Sequence, residues 1–205
     1  ISGLLPLLLN PFADRIGIAP ADVRWFLPVV GGSVLLSLPL LLAVPDVDRA
    51  VRAPGRVTLQ SAWSALSAGR LAPVWVATGL FAGLVAVFMS FATVTAADRA
   101  TEHPSTVWLT YAFGAIGVRL LGAQLPDRIG PSKVAAVALL SYAGGLWVAA
   151  GAQSDLSFGV AGALAGFGHG YCFPVLSAQV VGRSPAVLRG IAMATFTGLW
   201  ALARL

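Results

Sequence analysis

Of 205 residues, 58% are apolar and only 10% are charged, and the mean hydropathy is +0.85. A soluble domain carries about a quarter charged residues, so this chain has too little polar surface to face water on all sides, and lipid is the solvent its composition asks for. The net charge of +5 is not gathered into a basic stripe; Lys and Arg lie between apolar runs, which argues against a nucleic-acid-binding face and makes them orientation signals.

A helix needs about 20 apolar residues to cross the hydrocarbon core. Ile1 to Ala13 is too short and reads as the tail of an earlier span, so the chain is expected to start and end inside spans of a longer protein. Trp25 to Pro45 is the first complete span. The connection from Asp46 to Arg70 follows, and within it Leu59, Trp63 and Leu66 have the spacing of an amphipathic helix lying on the membrane surface; the alternative is a solvated linker. Leu71 to Ala97, Thr106 to Gln124, Val134 to Ser154 and Leu156 to Gly182 complete the full-length set, and Gly190 to Leu205 begins one more. No ten-residue alternating segments of a β-barrel are present. The reading is an all-α, polytopic transmembrane helix bundle with five complete spans and two partial ones.

Orientation follows the basic residues. Arg49, Arg52, Arg56, Arg70, Arg128, Lys133, Arg183 and Arg189 fall on the side of the long connection, against Arg15, Arg24 and Arg99 on the other, which places the long connection in the cytoplasm of a multi-pass inner-membrane protein.

The connection after Thr106 to Gln124 reads Leu125-Pro126-Asp127-Arg128-Ile129-Gly130-Pro131-Ser132-Lys133. It resembles the cytoplasmic loop motif of the major facilitator superfamily, Gly-x-Leu-Ala-Asp-Arg-x-Gly-Arg-Lys. Leu125, Asp127, Arg128, Gly130 and Lys133 match; Ala123 stands where the family has its first Gly, with Gly122 beside it, and Pro131 and Ser132 replace basic residues. Gly130 permits a tight reversal, and a carboxylate there can hold a facing helix N-terminus or pair with basic neighbours; a plain solvated turn is the alternative. Pro185, Arg189 and Gly190 resemble the family's loop before helix eleven. The resemblance implies a fragment running from the end of helix five to helix eleven: 1–44 closing the first half, 45–70 a cytoplasmic central loop, and 71–205 the second half. The rest of the first half, the lipid bilayer, a small-molecule substrate and protons are the implied partners. Ala13-Asp14-Arg15-Ile16-Gly17 looks similar, but an odd number of spans separates it from Asp127, so it falls on the opposite face and is read as an ordinary turn.

Polar groups inside a bilayer are costly, and each is a functional candidate. His169 lies mid-span and is either part of a substrate or proton pathway or a neutral packing histidine. Arg119 is read as snorkelling towards the Asp127 loop, or as a substrate contact. Tyr111 and Tyr171 join the candidate pathway. Ser90, Thr93, Thr95, Thr195, Thr197 and Trp200 are possible cavity lining. Gly162, Gly166 and Gly170 form a ladder that lets helices approach closely, and Gly79 and Gly83 a shorter one. Trp25, Trp75 and Trp108 lie near span ends, as interfacial anchors do.

Cys172, the only cysteine, reads as a small packing residue; no metal cluster and no phosphate-cradling Gly-rich loop are present, so no cofactor is expected. The spans hold one His and no carboxylate, too little for an intramembrane enzyme. The resemblance implies secondary transport by alternating access, and with no acidic residue in the spans present it points to proton-coupled efflux, with uptake, uniport or a non-transporting receptor as alternatives.

Overall fold

The structure, a computed structural model, describes residues 58, 60, 63, 67, 69–99 and 101–203, all within one compact unit, Pro54–Leu205. The expected spans at Ile1 to Ala13 and Trp25 to Pro45, most of the surface helix and the 1–44 segment lie outside the described residues.

Among the described residues every regular element is helical: α1 (Ala72–Asp98), α2 (Thr106–Leu121), the short α3 (Leu125–Ile129), α4 (Pro131–Gly151), α5 (Asp155–Arg183), a 3₁₀ turn (Ala186–Leu188) and α6 (Arg189–Leu202). By length and apolarity, α1 and α4 are able to cross a membrane; α2 and the segment Ala186–Leu202 are apolar but shorter. At 29 residues α5 is the longest helix among the described residues, but its glycines and His169 keep it out of that class.

The boundaries have local causes. α2 stops at Leu121, three residues short of the expected Gln124. The next i, i+4 donor to the Gly122 carbonyl would be the nitrogen of Pro126, which carries no hydrogen. That carbonyl instead accepts from the Leu125 N–H and, at 3.0 Å, from the Tyr171 hydroxyl. α4 begins at Pro131 rather than Val134, because a proline suits the first helical position and Gly130 before it takes φ 98°, a conformation that glycine adopts without strain. α5 starts on a capping box between Ser154 and Ser157, with Asp155 in its first turn and Arg183 in its last, both complementing the helix dipole.

α5 is the centre of the packing. One strip of its surface, Gly162, Gly166 and Gly170, lies against the backbone of α2 at Val107, Tyr111 and Ala115. A second strip, Ala161, Ala165, Gly168 and Cys172, lies against Ala135, Ala138, Tyr142 and Gly145 of α4. Residues 165 and 166 are about 100° apart around the axis, so the two strips make two separate close-packed seams. The α2 partner Gly114 returns the fit, its own face resting on Ala163 and Phe167. Gly79 and Gly83 are different: among the described residues nothing comes within 4 Å of where a Cβ would stand, so α1 uses neither for close approach.

Both ends of the bundle are tied. At one end, Arg99 just past α1 donates to the last carbonyls of α4, Ala149 at 3.2 Å, Ala150 at 2.8 Å and Ala152, while the His103 N–H reaches the Asp155 carboxylate at 3.2 and 3.3 Å. At the basic end, Arg183 ties α5 to α4 and to the turn before α1, donating to the Arg70 carbonyl at 3.1 Å, to Ser132 Oγ at 3.5 Å and, on its own helix, to Gln179 Oε1 at 2.6 Å. Trp108 corrects the expectation of an interfacial anchor: it is buried, its Nε1 donates to Thr93 Oγ1 at 2.6 Å, and its ring meets Phe88 edge-on. The outer surface is apolar, with Leu80 and Phe91 of α1, Phe113 and Leu120 of α2, and Leu140 and Trp147 of α4 all exposed.

Candidate functional site

The centre of the bundle is a cluster of aromatic side chains to which every long helix contributes. His169 of α5 has the ring of Phe81 (α1) at 5.4 Å, Tyr111 (α2) at 5.7 Å, Trp200 (α6) at 6.2 Å and Phe173 at 6.3 Å. Tyr142 of α4 closes the group, 5.6 Å from Phe81 and 6.5 Å from Tyr111. The small strips of α5 make this convergence possible. Gly166 and Gly168 bring α2 and α4 close on either side, which delivers Tyr111 and Tyr142 to the flanks of His169.

Among the described residues, Nδ1 of His169 and Nε1 of Trp200 are buried with no hydrogen-bond partner, and the buried hydroxyls of Tyr111 and Tyr142 have no partner but each other. Tyr142 is 0% exposed and Tyr111 7%. A buried polar group left unmet costs about 1–3 kcal/mol, and most folds leave few such groups. Thr78, close by in sequence to Phe81, shows the ordinary solution: its hydroxyl donates back to the Val74 carbonyl at 2.8 Å.

A concavity of about 610 Å³ opens at the basic end between α2, α3, α4 and α5. Arg119, Asp127, Tyr171, Gln179 and Arg183 are its polar lining, with Val118, Pro126, Pro131 and Pro174 among the apolar walls. Arg119 is exposed, sits two residues before the end of α2 and faces the same cleft as Asp127, and its charge also acts on Tyr111 and His169. Arg128 donates to Gln124 Oε1 at 3.0 Å, one turn back. Leu125, Lys133 and Arg189 are exposed, Arg189 opening α6; Gly122 accepts the Tyr171 hydroxyl and Gly130 makes the reversal. Thr195 and Thr197 bond their own helix carbonyls.

The structure therefore divides the candidates drawn from the sequence into two places. His169 and Tyr111 meet in the core, whereas Arg119 and Tyr171 belong with the loop residues at the basic end. Sequence reasoning missed Tyr142 and Gln179, although the rule that flagged His169 (a polar group deep in an apolar segment) applies equally to both. It also missed Phe81, which only the packing reveals.

An apolar-faced bundle of helices is the architecture of a membrane protein. The chain is similar to an uncharacterised MFS-type transporter of Salmonella typhimurium, 32% identical over 124 residues, which covers 58% of this chain and 31% of that protein. The match thus spans about a third of the relative's length. No family profile and no solved structure matches the chain.

Proposed function

We propose that the protein is a secondary active transporter of the major facilitator superfamily that works by alternating access, and that it exports a small organic compound in exchange for protons across the inner membrane. The observation that carries this reading is the group of buried polar side chains around His169, with His169 Nδ1 and Trp200 Nε1 unpartnered among the described residues, in the interior of a bundle whose outer face is apolar. Interior polar groups that the described residues leave open are what a solute or a proton meets on its way through a membrane. The similarity to an MFS-type transporter supports the family, and the Leu125 to Lys133 loop supports placing this chain at helices five to eleven of such a plan.

In this reading 71–205 belongs to the second half, 45–70 is the central cytoplasmic loop, and 1–44 closes the first half. The midplane site is shared between the halves, and the cleft bearing Arg119, Asp127 and Arg183 faces the cytoplasm, where the halves part and rejoin. Within this half, Arg99 and Arg183 tie helices to each other at opposite ends. Such ties keep the half rigid while it rocks.

Everted membrane vesicles carrying the intact protein test this. With a respiration-driven pH gradient followed by dye quenching, addition of a transported compound dissipates the gradient, and His169→Ala abolishes at least nine-tenths of that response at equal protein level. A response unchanged by the substitution removes His169 from the pathway. A sealed membrane in which no compound of a broad panel moves protons or label sinks the transport reading itself.

A further inference from the structure

The concavity at the basic end holds charge that the fold does not use. Its α5 wall runs from Gly170 to Arg183, roughly 20 Å of helix. Gly170 faces Ala115 and Val118 of α2, and the Tyr171 hydroxyl reaches Gly122, so the last turn of α2 stands beside the inner end of the cleft. Arg119 belongs to that turn, whereas Arg183 is the last residue of α5, at the outer end. Arg119 makes no hydrogen bond or ion pair among the described residues, and neither does Asp127, although both line the cleft. The charge of Arg119 acts on Tyr111 and His169, but neither is an anion that could neutralise it.

Gln179 adds a donor to the same wall. It is 8% exposed, and its Oε1 accepts from Arg183 at 2.6 Å and from Ser132 at 3.4 Å. Arginine only donates, so the amide oxygen is the atom turned towards it, and the Nε2 hydrogens are left without a partner among the described residues. Two arginines and an amide NH₂ thus face one free carboxylate, which leaves the cleft net positive and richer in donors than in acceptors. Val118, Pro126, Pro131, Pro174 and Val175 supply apolar walls. A space of about 610 Å³ with apolar walls and a few polar groups has the size and make-up of a small-molecule site. A smaller concavity of about 370 Å³ on the α1 side shares Gln179 and Arg183 but has neither Arg119 nor Asp127, so the unpaired charge lies in the larger one.

A neutral ligand would leave Arg119 unpaired, and a cation would meet two arginines. Carboxylate and phosphate oxygens match the fork of a guanidinium. We infer that the cleft is a binding site for an organic anion, a carboxylate or phosphate on an apolar body, with Arg119 as its charge partner. The inference goes beyond the transport reading, since the site holds its anion whether or not that compound is carried across.

The intact protein in phosphatidylcholine nanodiscs is titrated with radiolabelled 2-naphthoate, with binding to empty discs subtracted. Naphthoate binds saturably, and 2-naphthamide, of the same shape without the charge, competes at least about tenfold more weakly. Arg119→Gln weakens naphthoate by at least about tenfold and Arg119→Lys recovers part of the loss, counted per monodisperse protein. Asp127→Asn removes a repelling charge and tightens binding by about two- to threefold, a sign that damage to the fold would not produce. Dihexanoyl phosphatidylglycerol as competitor identifies the source of the anion. If it displaces naphthoate more tightly than naphthoate itself does, the site takes a lipid headgroup; weaker displacement means a solute from water. The site stands in both cases. No saturable naphthoate binding, equal competition by naphthamide, Arg119→Gln within twofold of the parent, or Asp127→Asn that binds no tighter would each overturn the inference. Binding is read without a gradient, so its failure leaves the transport reading to the vesicle assay with His169→Ala.

Discussion

Tyr171 and Gly122 form a pair in which each explains the other. The tyrosine hydroxyl donates to the Gly122 carbonyl at 3.0 Å, and a Cβ at position 122 would collide with that same hydroxyl. The bond occupies a carbonyl that Pro126 leaves without its helical donor, so it both ends α2 and pins the start of the Asp127 loop to α5. Removing the hydroxyl in Tyr171→Phe is expected to cost about 1 kcal/mol. Gly122→Ala is expected to cost more, about 2 kcal/mol, because it forces the ring aside as well as breaking the bond. Thermal unfolding of the detergent-solubilised protein measures both. Equal stability of the two variants and the parent would show that the pair does not hold the loop.

Among elements, α5 organises the rest, and its glycines are not equivalent to those of α1. A methyl group at Gly166 would meet the backbone of Tyr111, which has no rotamer to yield. Gly166→Ala is therefore expected to lose about 1–2 kcal/mol net, overpacking outweighing the gain of roughly 1 kcal/mol that alanine brings to a helix interior. Gly83→Ala, with nothing within 4 Å among the described residues, is expected to gain about 0.5–1 kcal/mol. The opposite signs, read as shifts in midpoint on the same thermal scan, are the check. The sequence made the elements legible because apolar length and charged gaps mark helices almost by themselves; Leu156 to Gly182 matches Asp155–Arg183 within a residue at each end. It did not distinguish the ladder at Gly162, Gly166 and Gly170 from the pair at Gly79 and Gly83, since a small residue says only that a neighbour could come close. Nor did it place Trp108, whose indole is drawn inward by Thr93, fifteen residues earlier, on α1. A pairing between helices leaves no mark in the local pattern. The same blindness separated His169 from Tyr142: they are polar residues in different spans, and only the fold shows that they share one cluster.

For the molecule as a whole, the distribution of apolar surface sets the solvent. Trp147 is 81% exposed and Leu140 73%, on a helix whose inner face carries the fully buried Tyr142 and Ala138. Large apolar side chains are turned outward along α1, α2 and α4, as on a surface that meets lipid. The intact protein is accordingly expected to stay in the membrane pellet through extraction at high salt and at alkaline pH, and to enter solution only with detergent. Release of most of the protein by alkali alone would mean that these faces are covered by protein rather than lipid.

The tie at Arg99 carries a lesson about tolerance to sequence change. Its three acceptors are the main-chain oxygens of Ala149, Ala150 and Ala152, which belong to every amino acid alike. Drift in the residues that end α4 therefore leaves the acceptors standing as long as the backbone keeps its course, while position 99 must supply a forked, permanently charged donor. The burden of preserving this junction falls on one codon of the four, and the segment it grips is free to vary.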